Sequence, residues 1–110
     1  MYNLFLDDER TPDYNLSPQW VICRSTEEAK IYVQDNGMPN FIAFDHDLGG
    51  DDTAMVFLKW LVNEYWEEGS FIPDYSVHSS NPDGRKNIIA FMETWWKVYN
   101  NFLPRAVIEE

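Results

Sequence analysis

Three short apolar runs in this chain each stop abruptly at a cluster of residues able to carry chemistry. Leu4-Phe5-Leu6 meets Asp7-Asp8-Glu9-Arg10, Phe41-Ile42-Ala43-Phe44 meets Asp45-His46-Asp47-Leu48-Gly49-Gly50, and Tyr75-Ser76-Val77 meets His78-Ser79-Ser80-Asn81-Pro82-Asp83-Gly84. Phe41 to Phe44 is continuously apolar, as expected of a central strand covered on both faces. In a parallel α/β sheet the loops after neighbouring strands open on one edge, and ligands bind there. Adjacent parallel pairing of the three runs therefore predicts one polar site rich in carboxylate and imidazole groups.

The segments between the runs suit that architecture. Residues 2–6 read as a buried strand. Residues 11–19 hold Pro12 and Pro18 around Asn15 and Ser17 and show no helical period, so a loop is expected where a βα unit normally places a helix. Trp20 to Arg24 reads as a second strand at a sheet edge. Ser25 with Glu28 has capping-box spacing and Gly37 is a stop signal, predicting a surface-lying helix whose weak apolar face is Ala29, Tyr32 and Val33. A second helix is expected from Asp51 or Asp52 to Gly69, with Met55, Leu58, Leu61, Val62 and Tyr65 on one stripe. Residues 74–78 form a short strand. A last helix is expected from Arg85 to Asn100 with Ile88, Phe91, Met92, Trp95, Tyr99 and Phe102 on its buried side, and Arg105 to Glu109 reads as a final edge strand. This order predicts one domain over 1–110: an α/β sandwich with a mostly parallel sheet of four to five strands.

Composition limits the partners. The chain has 110 residues, 45% of them hydrophobic, enough for one real core. Its formal charge of −11 opposes duplex nucleic acid and anionic membrane surfaces, both of which need clustered Lys and Arg. Cys23 is the only cysteine, so no internal disulfide forms, and it is expected to pack as a small hydrophobe. No run has transmembrane length and the first residues do not read as a signal peptide, so a cytoplasmic location is expected. The Asn15-Leu16-Ser17 sequon carries no weight without secretion. Trp60, Trp66, Trp95 and Trp96 lie at helical spacings and are expected to serve packing.

Asp7, Asp8, Asp45 and Asp47 would gather at one sheet edge. Two bare carboxylates ~4 Å apart repel by roughly 4 kcal/mol even at an effective dielectric of about 20, so such a cluster needs a cation, a raised pKa or a nearby Arg or His. All-oxygen ligands favour Mg²⁺, Mn²⁺ or Ca²⁺ over zinc, and His46 and His78 leave a more transition-like metal open. Helix capping and turn formation are the competing explanation for any one acidic pair. Arg10 follows the first pair and could equally bridge Glu9 or Asp8. In the third cluster, His78 can move protons near neutral pH, and Ser79, Ser80 and Asn81 can bind a phosphate oxygen. Arg85 and Lys86 fall in the next helix's first turn, where the dipole disfavours cations unless an anion is present. An Asn-Pro-Asp-Gly turn explains residues 81–84 but not His78.

These motifs resemble the cyclic-phosphate-processing receiver-like domains, an offshoot of the response-regulator receiver fold. The resemblance rests on Leu6-Asp7-Asp8-Glu9-Arg10-Thr11-Pro12, Asp45-His46-Asp47-Leu48-Gly49 and His78-Ser79-Ser80-Asn81-Pro82-Asp83-Gly84, in that order. It implies a small receiver-like (flavodoxin-like) three-layer sandwich. It also implies that Asp7 and Asp8 help hold a divalent cation, that Asp45 stands near the phospho-acceptor position, and that Ser79 or Ser80 matches the small hydroxyl residue after the fourth strand. Three departures from an ordinary receiver oppose phosphorelay signalling: no Lys ends a convincing fifth strand, the first crossover helix is missing, and His46 and His78 are additions.

The expected activity is hydrolysis of a phosphodiester, a cyclic phosphate by resemblance, in a small molecule or nucleotide. Asp7, Asp8 and Asp45 would ligate Mg²⁺ or Mn²⁺. His78 is expected as general acid or base with Asp47 or His46 assisting, and Asp45 counts among the catalytic groups. Ser79, Asn81, Arg85 and Arg10 are expected to hold the phosphate. Two alternatives stay open: a non-catalytic module that sequesters a nucleotide or binds a protein, and a degenerate receiver phosphorylated on Asp45.

Overall fold

A computed structural model describes residues 2–12, 20–100 and 107–109. Its strands are β1 (Asn3–Leu6), β2 (Trp20–Cys23), β3 (Phe41–Phe44), β4 (Asp74–Val77) and β5 (Val107–Glu109), and its helices are α1 (Thr26–Asn36), α2 (Ala54–Trp60) and α3 (Pro82–Asn100). The strands form one five-stranded sheet in the order β2-β1-β3-β4-β5, and every pairing is parallel. This is the flavodoxin-like order, whose switch point lies between β1 and β3. The two outer runs, β2 and β5, are the edges. The loop expected over 11–19 lies outside the described residues from position 13 onward.

Alternation along the strands assigns the two faces. Leu4, Leu6, Cys23, Ile42, Phe44, Tyr75 and Val77 point to one face and share a single core cluster with residues of all three helices. On the other face Phe5, Ala43 and Ser76 are buried outside that cluster. Each fully buried Leu, Ile or Phe stabilises the fold by roughly 1.5–3 kcal/mol, so the helical face supplies most of the hydrophobic driving force among the described residues.

The helix ends follow local chemistry. Ser25 caps α1 by accepting from the Glu28 amide at 3.1 Å, while the Glu28 carboxylate reaches back to the Arg24 amide at 2.9 Å. The helical residues Ala29 and Val33 are fully buried, so the weak stripe suffices to seat α1. The second helix starts at Ala54, later than Asp51 or Asp52. Asp47 and Thr53 bridge antiparallel across a tight turn, and Gly49 (φ 96°) and Gly50 (φ 57°) supply its left-handed backbone. Asp52 instead accepts from the Thr26 amide at 2.8 Å and ties this loop to the start of α1. The helix also ends before Gly69. After Trp60 it widens into a π-helical turn over Leu61–Tyr65, closed by the Trp66 amide on the Leu61 carbonyl at 2.7 Å.

The last helix begins at Pro82 rather than Arg85. Asn81 is its N-cap, with Oδ1 accepting from the Gly84 amide at 3.1 Å, and Pro82 occupies the first helical position, where no amide is needed. Its buried hydrophobic residues are Ile88, Met92, Trp95 and Trp96. Tyr99, expected inside, is 42% exposed, and Phe91 is only half-buried. The stripe that meets the sheet is rotated toward Trp96. Phe102 lies outside the described residues. No helix among them is long and apolar enough to cross a membrane.

Candidate metal and phosphate site

The sheet register builds the site. Leu6 pairs with Cys23 and Phe44, and Phe44 with Val77. The row one residue beyond that ladder reads Arg24, Asp7, Asp45, His78 across four strands. Backbone bonds hold three of these in line: Asp7 N to Cys23 O at 3.1 Å, Asp45 N to Leu6 O at 2.8 Å and His78 N to Phe44 O at 2.9 Å. The three polar clusters therefore do converge at the carboxyl edge, across the switch point.

Asp7, Asp8 and Asp45 each offer an oxygen, and these atoms lie within 4.8 Å of one another. Asp7 and Asp45 are buried, and Asp8 is half-buried. Asp7 is the best-held of the three. Its Oδ1 accepts from the amides of Glu9 and Arg10, both at 2.8 Å, and its Oδ2 faces His78 Nε2 at 2.9 Å. Burial pushes the Asp7 carboxyl up, but the Arg10 and Glu9 amides and the His78 ring outweigh it and hold its pKa below the usual range. Asp45 lies the other way. Burial, then the charge of Asp7, raise its pKa against the smaller opposing effects of Arg10, the His46 amide and His78. The trio thus contains one firmly ionised carboxylate beside one that resists ionisation.

His78 is enclosed. Its side chain is 6% exposed and its ring stacks on Phe5 with centroids 4.8 Å apart. Nε2 must donate to the ionised Asp7, and Nδ1 is buried with no hydrogen-bond partner among the described residues. That placement suits a group that orients Asp7 better than one that meets substrate, because neither ring nitrogen faces solvent.

The other histidine is nearer the surface. His46 Nδ1 lies 3.0 Å from Asp47 Oδ1, and Asn81 Nδ2 donates to Asp47 Oδ2 at 3.2 Å. Those two bonds lower the Asp47 pKa, His46 contributing most. The ring also lies against Gly84, where an added Cβ would stand 2.4 Å from His46 Cγ. Gly84→Ala is accordingly expected to push the imidazole off Asp47 and cost roughly 1–3 kcal/mol of stability by overpacking. Thermal unfolding and loss of the His46–Asp47 coupling in NMR spectra would check this, and an unchanged ring position would refute it.

The expected phosphate ligands are placed unevenly. Arg10 reaches the trio: its guanidinium is 3.9 Å from Asp7 Oδ2 and donates to the His78 carbonyl at 2.6 Å. Ser79 is 1% exposed and its Oγ accepts from the Asn81 amide at 3.1 Å, so it shapes the turn. Asn81 divides its side chain between the α3 cap and Asp47. Arg85 lies half-buried in the first turn of α3. Asp47 stays outside the carboxylate trio. The sequence reading missed Arg24, which donates to the carbonyls of Asp7 (3.1 Å) and Arg10 and so braces the β1 loop. Its position one residue past Trp20–Cys23, the strand that flanks the first run, was the available signal.

A family model described as the cyclic-phosphate processing receiver domain matches residues 2–94, from the first strand deep into α3. The chain belongs to the cyclic-phosphate processing receiver domain family. In this family member all three polar clusters fall inside the matched span. No curated protein and no solved structure matches the chain.

Proposed function

We propose that this receiver domain hydrolyses a phosphodiester bond of a small cyclic phosphate, using a divalent cation held by Asp7, Asp8 and Asp45. The observation that carries the reading is the clustering of those three carboxylates at the switch point of a domain from a cyclic-phosphate processing family. The donor set fits Mg²⁺ or Mn²⁺: it is all oxygen, and Asp45 sits against Asp7 in a charge conflict that a cation relieves. When bound, the cation would supply Lewis acidity toward a phosphoryl oxygen and a more acidic water.

The chain's own residues supply the rest. Arg10, 46% exposed at its side chain, offers a positive charge to the phosphate beside the trio. The amides of Glu9 and Arg10, with His78, fix the orientation of Asp7. His46, paired with Asp47, is the better candidate for proton transfer at the mouth of the site, and Asn81 holds Asp47 in place. In this assignment His78 becomes a positioning residue rather than the general acid or base expected from sequence.

A panel of linear and cyclic nucleotides, incubated with and without Mg²⁺ or Mn²⁺, tests the reading. Metal-dependent opening of a cyclic phosphate, lost in Asp8→Asn, is the expected result. Tight binding without turnover under every metal would replace hydrolysis with sequestration. A durable mass gain from acetyl phosphate that Asp45→Asn abolishes would return the domain to the phospho-acceptor class.

A further inference from the structure

On the helical side, α2, its π-helical end and α3 enclose a groove of about 670 Å³ that shares no residue with the acidic site. One wall is a stripe of α3 that shares Trp95 with the core and runs outward from it: Ala90, Phe91, Thr94, Trp95 and Val98. The opposite wall is Met55, Lys59 and Val62. Ala90 and Thr94 are small and exposed, which leaves the space open, and the π-helical turn adds Val62 and Asn63 to the lining. Such turns recur at functional sites.

Four observations give the groove a ligand chemistry. Its volume lies within the roughly 300–1,000 Å³ typical of small-molecule sites, and its walls are mainly apolar with a few polar groups, the usual composition of such sites. Its charge is the reverse of the chain's: against 19 Asp and Glu and 8 Lys and Arg overall, none of the lining residues among the described ones is acidic, and Lys59 is the one charged side chain among them. Large apolar groups are also left in water at its rim, Val98 being 62% and Tyr99 42% exposed. Trp95, 3% exposed in the wall, has an indole N–H with no hydrogen-bond partner among the described residues.

We propose that this groove binds a small amphipathic acid, with a ring-bearing apolar body against Phe91, Trp95 and Val98 and a single acidic group at Lys59. Lys59 in a lining with no acidic residue among the described ones is what favours an anion here on a protein of charge −11.

Two fluorescent probes with the same rings test it in metal-free buffer: anilinonaphthalene sulfonate, which is an anion, and phenylnaphthylamine, which is neutral. Both should show saturable single-site binding to the intact chain. Ala90→Phe and Thr94→Phe, exposed positions that fill the groove, should each weaken both probes by about tenfold or more. Lys59→Glu should weaken the sulfonate probe by about threefold to tenfold and leave the neutral one unchanged. Near-UV circular dichroism and melting temperature establish that each variant is folded. Absence of saturable binding, or binding that both filling variants leave intact, overturns the site. An equal effect of Lys59→Glu on the two probes overturns the acidic group. Neither outcome depends on metal or on phosphodiester turnover, so the groove and the proposed hydrolysis fail separately.

Discussion

Replacing Asp45 with asparagine is expected to stabilise the metal-free protein at neutral pH and to abolish its response to Mg²⁺ or Mn²⁺. Asp45 is 8% exposed, and its oxygen lies within 4.8 Å of those of Asp7 and Asp8. At that separation two carboxylates repel by roughly 3–4 kcal/mol for an effective dielectric of about 20. Asparagine keeps the oxygen that accepts from the His46 amide and removes the charge. A net gain of about 1–2 kcal/mol is expected once the polar group's own burial is allowed for.

The pH dependence carries the sign. Burial and Asp7 raise the folded pKa of Asp45, so its contribution is fully present below the unfolded carboxylate value and is lost as pH rises through the raised one. At neutral pH the ionised group therefore destabilises the fold, and the advantage of Asp45→Asn should shrink as pH falls through that window. Asp7 has the opposite sign. Its folded pKa is lowered despite burial, so its stabilisation is present above the unfolded value and disappears as pH drops through the folded one. Asp7→Asn should consequently destabilise the protein at neutral pH. With metal at about 100 times its dissociation constant the wild type should gain roughly 2.7 kcal/mol, and Asp45→Asn almost nothing. Thermal unfolding with and without metal, at neutral and acid pH, reads all of this. A wild type indifferent to millimolar metal, or an Asp45→Asn variant less stable than wild type, would overturn the site.

The convergence of the clusters was legible because it needs only two facts, the ends of three apolar runs and parallel pairing of neighbours. Asp7, Asp45 and His78 are each the first residue past a run, and the ladder places first-past residues in one row. What could not be read were contacts fixed by side-chain direction across long separations. The Asp7–His78 bond joins residues 71 apart, and no periodicity encodes whether that imidazole turns inward onto Phe5 or outward to solvent. The same holds for Gly84. It reads as an ordinary turn residue, yet its missing Cβ is what lets the α3 backbone approach His46. Helix starts slipped for a local reason. Charged and small residues at 51–53 and 81–84 suit both a turn and a first helical turn, and the loops' own contacts decide: the Asp47–Thr53 bridge delays the start in one, and the Asn81 cap on Gly84 advances it in the other. The π-helical turn shifts the phase of the second helix after Trp60, which a uniform 3.6-residue stripe does not anticipate.

The two histidines should separate when each is replaced by alanine. His46 borders solvent with Nδ1 on Asp47, whereas His78 is sealed between Phe5 and Asp7. If His46 transfers the proton, His46→Ala should lower turnover of the preferred cyclic phosphate by about 10²–10⁴-fold. Its melting temperature and metal affinity should stay near those of the wild type. His78→Ala removes the donor that orients Asp7 and leaves a void beside Phe5, so it should lose melting temperature and weaken metal affinity by about 10–100-fold. Activity in that variant should recover in part at saturating metal, because the lost step is binding. Metal titrations followed by calorimetry, together with kcat measured at saturating metal, distinguish the two. A His78→Ala protein that melts and binds metal like the wild type yet has lost turnover would restore His78 as the acid–base group, and would reduce His46 to a packing partner of Gly84.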